Sequence, residues 1–362
     1  MKAILVAGGE GTRLRPLTYH TPKPLLPLCG RPIIAYQVEL CRRHGIRDIV
    51  VNLHYLADSL EAYLGDGSAF GVRISYSRER SPLGTAGAVK LAEPFFDGEP
   101  MLVFNGDVLT DLDLTRLLEF HRASSAVATL TTTEVADPTP FGLIVSDATG
   151  RISRFLEKPS REEAVVYGDR FYINAGTYVL APEIFGDVPA GRNWSFERQV
   201  FPGLLEGGQP LYAFAGDTYW RDVGSPPSYL AAHRDLLAGA VARPQDWLPW
   251  PDATTPRAFL GGDVDLPGDL EVSGGMCYIG PGVSFGQGVR LEDHAVISEG
   301  AVLGDGVLVR GAIVGARTEI GAQSEVLGGI VGSSCRLEAK VKLNGRTVLA
   351  DRSVIGKGTC LA

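Results

Sequence analysis

From Ile279 onward an apolar residue returns every six positions: Ile279, Phe285, Leu291, Ile297, Leu303 and Val309. The register slips by one, and Val314, Ile320 and Val326 continue the series. It slips again before Val331, Leu337, Leu343, Leu349, Ile355 and Leu361. A period of six fits neither the 3.6 of an α-helix nor the alternation of a paired strand. It fits short flat strands that each turn one side chain inward, so that successive coils stack into a parallel β-helix. The two slips are expected at bulged corners or small loops.

The first two-thirds of the chain follows another rule. Ala3-Ile4-Leu5-Val6-Ala7 reads as a buried strand, Pro32 to His44 has helical spacing, and Gly45 fits its C-terminal stop. Strand and helix patterns then alternate: strands at 47–52, 72–76, 101–104 and 126–133, helices at 57–64, 84–92 and 114–123. This is the pattern of an α/β fold, Rossmann-like, with a mostly parallel sheet and helices on both faces. Ligands of such sheets sit beyond the carboxyl ends of the strands. The first strand ends there in Gly8-Gly9-Glu10-Gly11-Thr12-Arg13, followed by Arg15 and Lys23. Glycines let backbone N–H groups approach an anion closely, and Arg suits bidentate phosphate contact. The spacing is neither that of a Walker loop nor GxGxxG.

Bulk properties narrow the ligand class. The 362 residues carry a net charge of −8, so no overall basic field draws in nucleic acid or an anionic membrane. An anionic small substrate must therefore meet local positive charge. No apolar run approaches membrane-spanning length, and Met1-Lys2-Ala3-Ile4 leads into a strand rather than a signal peptide. Five scattered cysteines without a CxxC pair suit reduced thiols, so a soluble cytoplasmic protein is expected.

Several polar residues stand at strand ends. Asp107 follows the apolar run 101–104 and reads either as a turn former or as a magnesium ligand. Asp222, in Trp220-Arg221-Asp222-Val223-Gly224, is the natural second carboxylate, or else a loop aspartate paired with Arg221. Glu157-Lys158-Pro159 closes an alternating strand, and Asn174 reads equally well as a polar turn residue.

The string Gly8 to Thr18 followed by Pro22-Lys23-Pro24-Leu25-Leu26-Pro27 resembles the signature of sugar-nucleotide pyrophosphorylases. These nucleotidyltransferases join a sugar 1-phosphate to a nucleoside triphosphate. The resemblance implies that Gly8, Gly9, Gly11, Thr12, Arg13 and Lys23 hold the nucleotide phosphates, and that Asp107 and Asp222 bind Mg²⁺. It assigns the sugar phosphate to Lys158 and sugar contacts to Glu157, Gly142 and Asn174. Arg78 to Gly87, with Glu79, Pro82 and Gly84, resembles the loop that receives the nucleobase. Glu79 stands where thymidylyltransferases of this kind carry glutamine. A carboxylate that only accepts suits the adjacent N1–H and N2–H₂ of guanine, which favours GTP. The competing reading of Glu79 is an exposed residue paired with Arg78 or Arg80. The tail resembles hexapeptide-repeat proteins, which implies a left-handed coil.

The expected organisation is a nucleotidyltransferase domain over 1–238, a linker over 239–270 and a left-handed parallel β-helix over 271–362. Trp247 and Trp250 in the proline-rich linker are expected to dock on a neighbouring surface. His294 is the only histidine of the tail, which argues against acyl transfer there and for a role in homo-oligomerisation or control. The expected reaction is GDP-mannose formation from GTP and mannose 1-phosphate. The alternatives are glucose 1-phosphate with UTP, dTTP or ATP, and a non-catalytic subunit on the same plan.

Overall fold

The computed structural model describes residues 1–249 and 258–361. Contacts divide the chain into two compact units, each taken by itself below. The first comprises Met1–Glu10 and Ile34–Trp220; the second comprises Gly11–Ile33 and Arg221–Ala362.

The first unit is built on a nine-stranded sheet. Its strands are β1 (Lys2–Val6), β2 (Asp48–Leu53), β3 (Arg73–Arg78), β4 (Met101–Asn105), β5 (Ala128–Val135), β6 (Gly142–Ser146), β7 (Ile152–Glu157), β8 (Phe171–Leu180) and β9 (Leu211–Ala215). Helices α1 (Ile33–Arg43), α2 (Ala57–Leu64), α3 (Gly84–Leu91) and α4 (Leu114–Ala123) connect them. The order β7-β6-β8-β4-β1-β2-β3 places β1 centrally, with β5 and β9 joined through β8. β1 pairs in parallel with β2 and β4, and β2 in parallel with β3. Such central strands are buried on both faces, which is why Ala3, Ile4 and Leu5 form an unbroken apolar run. Beyond β4 the sheet becomes mixed. β8 runs antiparallel to β4, β5 and β6, and a register shift between Asn174 and Tyr178 bulges it.

Helix boundaries follow local chemistry. α1 buries Ile33, Ile34, Val38 and Cys41 on one stripe. The Asp113 carboxylate caps α4 by accepting from the Arg116 N–H at 3.0 Å.

In the second unit the tail forms three faces of stacked parallel strands, and the fifteen hexad residues named above all lie in them. From Ile279 to Val331 the inward positions are buried, apart from partly buried Phe285. The slips are not bulges or added loops. Val309 to Val314 and Val326 to Val331 are corners one residue shorter than the rest, turned at Gly311 (φ 54°) and Gly328 (φ 72°). Positive φ at these corners is the conformation glycine reaches without steric cost.

One face carries a second apolar row pointing outward. Tyr278, Val296, Ile313 and Ile330 precede the inward residues of their strands, yet they are buried. The turn at Cys29-Gly30, between the paired segments Pro27–Leu28 and Arg31–Pro32, packs against Tyr278 of this row. A Cβ at Gly30 would collide with the Tyr278 phenol. Helix α5 (Pro226–Ala238) fixes the same segment, with Tyr229 Oη donating to the Pro27 carbonyl at 2.5 Å. Trp247 docks as expected, its ring 5.4 Å from Phe259 and 5.3 Å from Tyr278. Trp250 lies outside the described residues. Within the stretch read as linker, Ala258–Leu260 already pairs in parallel with Cys277–Ile279.

Candidate active site

In the first unit, Gly8 follows β1. A Cβ there would sit 2.8 Å from Glu79 Oε1, whereas Gly9 faces open space. Glu79 is buried at the end of β3, and its Oε2 accepts from the Leu83 N–H at 2.8 Å. Burial raises its carboxyl pKa, opposed in part by that N–H and by His54. The exposed-pair reading of Glu79 is therefore not what the structure contains. Arg78 pairs instead with Asp58 at 2.7 Å and with Glu61 at 2.9 Å. Pro82 accepts from Asn193 through its carbonyl, and Gly84 opens α3 at φ 70°.

Asp107 is half-buried in the turn after β4. A residue that sequence reasoning passed over holds this turn. The Gln37 amide, 2% exposed on α1, donates to the carbonyls of Asn105 at 2.8 Å and Val108 at 3.0 Å. A buried polar residue on an otherwise apolar helix stripe was the available signal. Gln37→Leu would strip two carbonyls of their donor, so an unfolding free energy lower by about 2 kcal/mol is expected in urea titration.

The sugar-side residues also lie in this unit. Gly142 pairs with Glu157 across β6 and β7, and a Cβ there would stand 2.7 Å from Phe155 Cζ and 3.2 Å from Glu157 Oε2. Burial, then the neighbouring Glu197 carboxylate, raises the Glu157 pKa. Lys158 adopts φ 51°, a left-handed backbone that non-glycine residues seldom take, and its Nζ stands 4.0 Å from Glu157 Oε1. Asn174 uses both ends of its amide within the bulge of β8. Nδ2 donates to Tyr178 Oη at 2.8 Å, and Oδ1 accepts from the Gly176 N–H at 3.0 Å.

In the second unit, Gly11 turns the loop at φ 63°, with its carbonyl accepting from Thr18 Oγ1 at 2.9 Å. Thr12 opens a short 3₁₀ turn, Thr12–Leu14, that carries Arg13. Arg13 Nη2 and Lys23 Nζ each stand 3.7 Å from an oxygen of Asp222, Arg13 from Oδ2 and Lys23 from Oδ1. Arg221 Nε donates to Asp235 Oδ2 at 2.7 Å. Gly224 leaves room for this cluster, since a Cβ would lie 2.7 Å from both Arg13 Nη2 and Asp222 Oδ2. Lys23 is buried and Arg13 exposed, so one cation is fixed and the other is free to follow a ligand.

Asp107 and Asp222 both offer hard carboxylate oxygens. Mg²⁺ takes one or two such donors when phosphates and water complete its shell, so these residue types fit the ion. Among the described residues no group of three or more possible ligands forms. No helix among them is long and apolar enough to cross a membrane.

Fold and loop together define the class: an α/β domain with a glycine-rich, cationic loop after its central strand, continued by a parallel β-helix. The chain belongs to the nucleotidyl transferase family, whose model matches residues 2–239, and residues 273–362 match the GMPPB C-terminal domain. It is 38% identical over 259 residues to the UTP–glucose-1-phosphate uridylyltransferase of Synechocystis sp., covering 68% of this chain and 66% of that protein. It is 39% identical over 246 residues to the mannose-1-phosphate guanylyltransferase of Mycobacterium tuberculosis, covering 67% and 66%. The chain thus spans about two-thirds of the length of these relatives. Among solved structures it resembles HddC from Yersinia pseudotuberculosis complexed with GMP-PN. That match has a TM-score of 0.56 and 27% identity, over 65% of this chain and 98% of that one. The left-handed coil expected of the tail agrees with its three-faced series of parallel strands.

Proposed function

We propose that this protein transfers a nucleotidyl group from a nucleoside triphosphate to a sugar 1-phosphate, releasing pyrophosphate, with GTP and mannose 1-phosphate as its pair. The observation that carries the reading is the Arg13–Asp222–Lys23 cluster at the family's glycine loop. A non-catalytic subunit would have no use for it. The similarity to a mannose-1-phosphate guanylyltransferase supports the choice of substrates. The similarity to a glucose-1-phosphate uridylyltransferase keeps that pair as the second reading.

The sugar phosphate is already anionic at neutral pH, so no general base or covalent residue is required. The barrier is repulsion between two polyanions and the loss of freedom on aligning them; positioning and neutralisation lower it. Arg13 would stabilise the leaving pyrophosphate, Lys23 the charge on the α-phosphate, and Lys158 would hold the attacking phosphate. Gly8, Gly9, Gly11 and Thr12 would present backbone N–H groups to the triphosphate. Glu157, Gly142 and Asn174 would set the sugar. Asp107 and Asp222 would hold Mg²⁺, which when bound neutralises phosphate charge and makes the α-phosphorus more electrophilic. We also assign the protein to the cytoplasm, a reading supported by five free thiols, and propose that it is a homo-oligomer, which light scattering of the purified chain tests.

Pyrophosphate release measured across four nucleotides with mannose and glucose 1-phosphates tests the reaction; no release with any pair would refute it. Glu79, with Pro82 and Gly84 in the same loop, would read the base. Glu79→Gln should cost GTP about tenfold in kcat/KM relative to UTP and dTTP, because an acceptor facing two donors becomes half donor. An unchanged ranking of nucleotides would remove Glu79 from base selection.

A further inference from the structure

Behind the base loop lies a hydrogen-bonded chain that the roles above leave unused. The segment Arg192 to Glu197 packs on α3 at unusually short range. The Trp194 carbonyl accepts from the N–H groups of Ala86 at 2.9 Å and Gly87 at 3.0 Å, and the Trp194 N–H donates to the Leu83 carbonyl at 2.8 Å. A Cβ at Gly84 would lie 2.7 Å from the Trp194 carbonyl, and one at Gly87 2.5 Å from that of Arg192. These two glycines of Pro82-Leu83-Gly84-Thr85-Ala86-Gly87 therefore serve this clamp, whatever else they touch.

Glu197 stands at the centre of it, in the π-helical turn Phe196–Val200, an irregularity that often marks functional sites. Its Oε2 accepts from Thr85 Oγ1 at 2.9 Å and Ser195 Oγ at 2.6 Å. Tyr178 Oη donates to Oε1 at 3.4 Å and accepts from Asn174 Nδ2 at 2.8 Å. Tyr178 is fully buried, so its hydroxyl has no solvent to turn to. One half-buried carboxylate thus joins the first turn of α3, beside the base loop, to the bulge of β8 that carries Asn174. The same carboxylate is a neighbour of Glu157.

We propose that Glu197 is a positioning residue that couples the nucleobase loop to the sugar-binding strand. It acts through Thr85 on one side and through Tyr178 and Asn174 on the other. The proposal rests on the sugar-nucleotide reading given above. The two ends are far apart in the chain, Thr85 at the start of α3 and Asn174 in the bulge of β8, and Glu197 is the group that both branches reach. Tying both to one charged acceptor orients base and sugar together, because hydrogen bonds to charged groups are the stronger ones.

The test compares Glu197→Gln and Tyr178→Phe with the wild-type chain in steady-state pyrophosphate release, with a thermal melt of each. Wild-type turnover is established first; its absence would count against the enzymatic reading and leave the coupling without a reaction to serve. With turnover present, Glu197→Gln should raise KM about tenfold for both the sugar 1-phosphate and the nucleotide. Tyr178→Phe breaks only the sugar branch, so it should raise the sugar 1-phosphate KM and leave the nucleotide KM unchanged. A pH profile adds a readout that a merely structural role would not move. Glu157 accepts from sugar hydroxyls more strongly when ionised, and it faces Glu197, Lys158, Arg198 and Tyr178. Removing the Glu197 charge lowers the Glu157 pKa, so the acid limb of kcat/KM for the sugar 1-phosphate should move to lower pH. A folded Glu197→Gln with both KM values within twofold and an unmoved limb would overturn the proposal. If that variant does not fold, equal effects of Tyr178→Phe on both substrates, or none on either, would overturn it instead.

Discussion

Asp222→Asn is expected to lower kcat about a thousandfold while the KM for the nucleoside triphosphate stays within about threefold. The amide keeps the size of the side chain, so the space left by Gly224 is still filled as before. What changes is charge. Arg13 and Lys23, each 3.7 Å from a carboxylate oxygen, lose a neighbouring anion. Removing that negative charge makes the cluster more favourable to a polyanionic ligand, so binding should hold or tighten while turnover fails. The split between kcat and KM is the signature, because a loop that had merely loosened would lose both. Steady-state kinetics with a folded Asp222→Asn enzyme running within tenfold of wild type would remove Asp222 from the reaction.

The second large effect is expected at Lys158→Gly. The lysine holds φ 51° directly after β7, and a non-glycine residue there carries a steric cost of about 1 kcal/mol. Its side chain is 60% exposed, so its 4.0 Å approach to Glu157 contributes little to folding. Glycine relieves the backbone and removes the cation. The melting temperature should therefore stay level or rise, while the KM for the sugar 1-phosphate rises on the order of a hundredfold and that for the nucleotide does not. A variant that binds sugar phosphate normally would show that Lys158 is a solvated surface residue. A strained residue kept at a cost to stability is the pattern of a functional position.

The site was legible where its chemistry is local to the chain. Glycines, Arg13 and Lys23 fall within sixteen residues of one another, and a strand end marks Asp107. Thr85 and Glu197 were not legible, and Gln37 showed only as a polar residue on an apolar stripe, because their partners are distant in sequence: Gln37 reaches Val108 over 71 positions and Thr85 reaches Glu197 over 112. Asp222 shows the same limit from the other side. The alternative reading paired it with its neighbour Arg221, whose Nε bonds Asp235, while the distant Arg13 and Lys23 flank the carboxylate.

By itself the sequence determined the two architectures and the inward face of every coil, since a period of six leaves one geometry in which each apolar residue reaches the core. It also determined that the central strands lie buried on both faces. Tertiary structure alone decided what covers the outside. The outward row Tyr278, Val296, Ile313 and Ile330 carries no periodic signal that separates it from exposed Val302 and Val354 on another face. Likewise, nothing in the glycine loop told that Gly11–Ile33 folds with the β-helix unit while Gly8 and Gly9 stay with the sheet. The reason is physical. Periodicity reports which side of its own element a residue faces, whereas burial on the far side depends on which other element the chain brings to it.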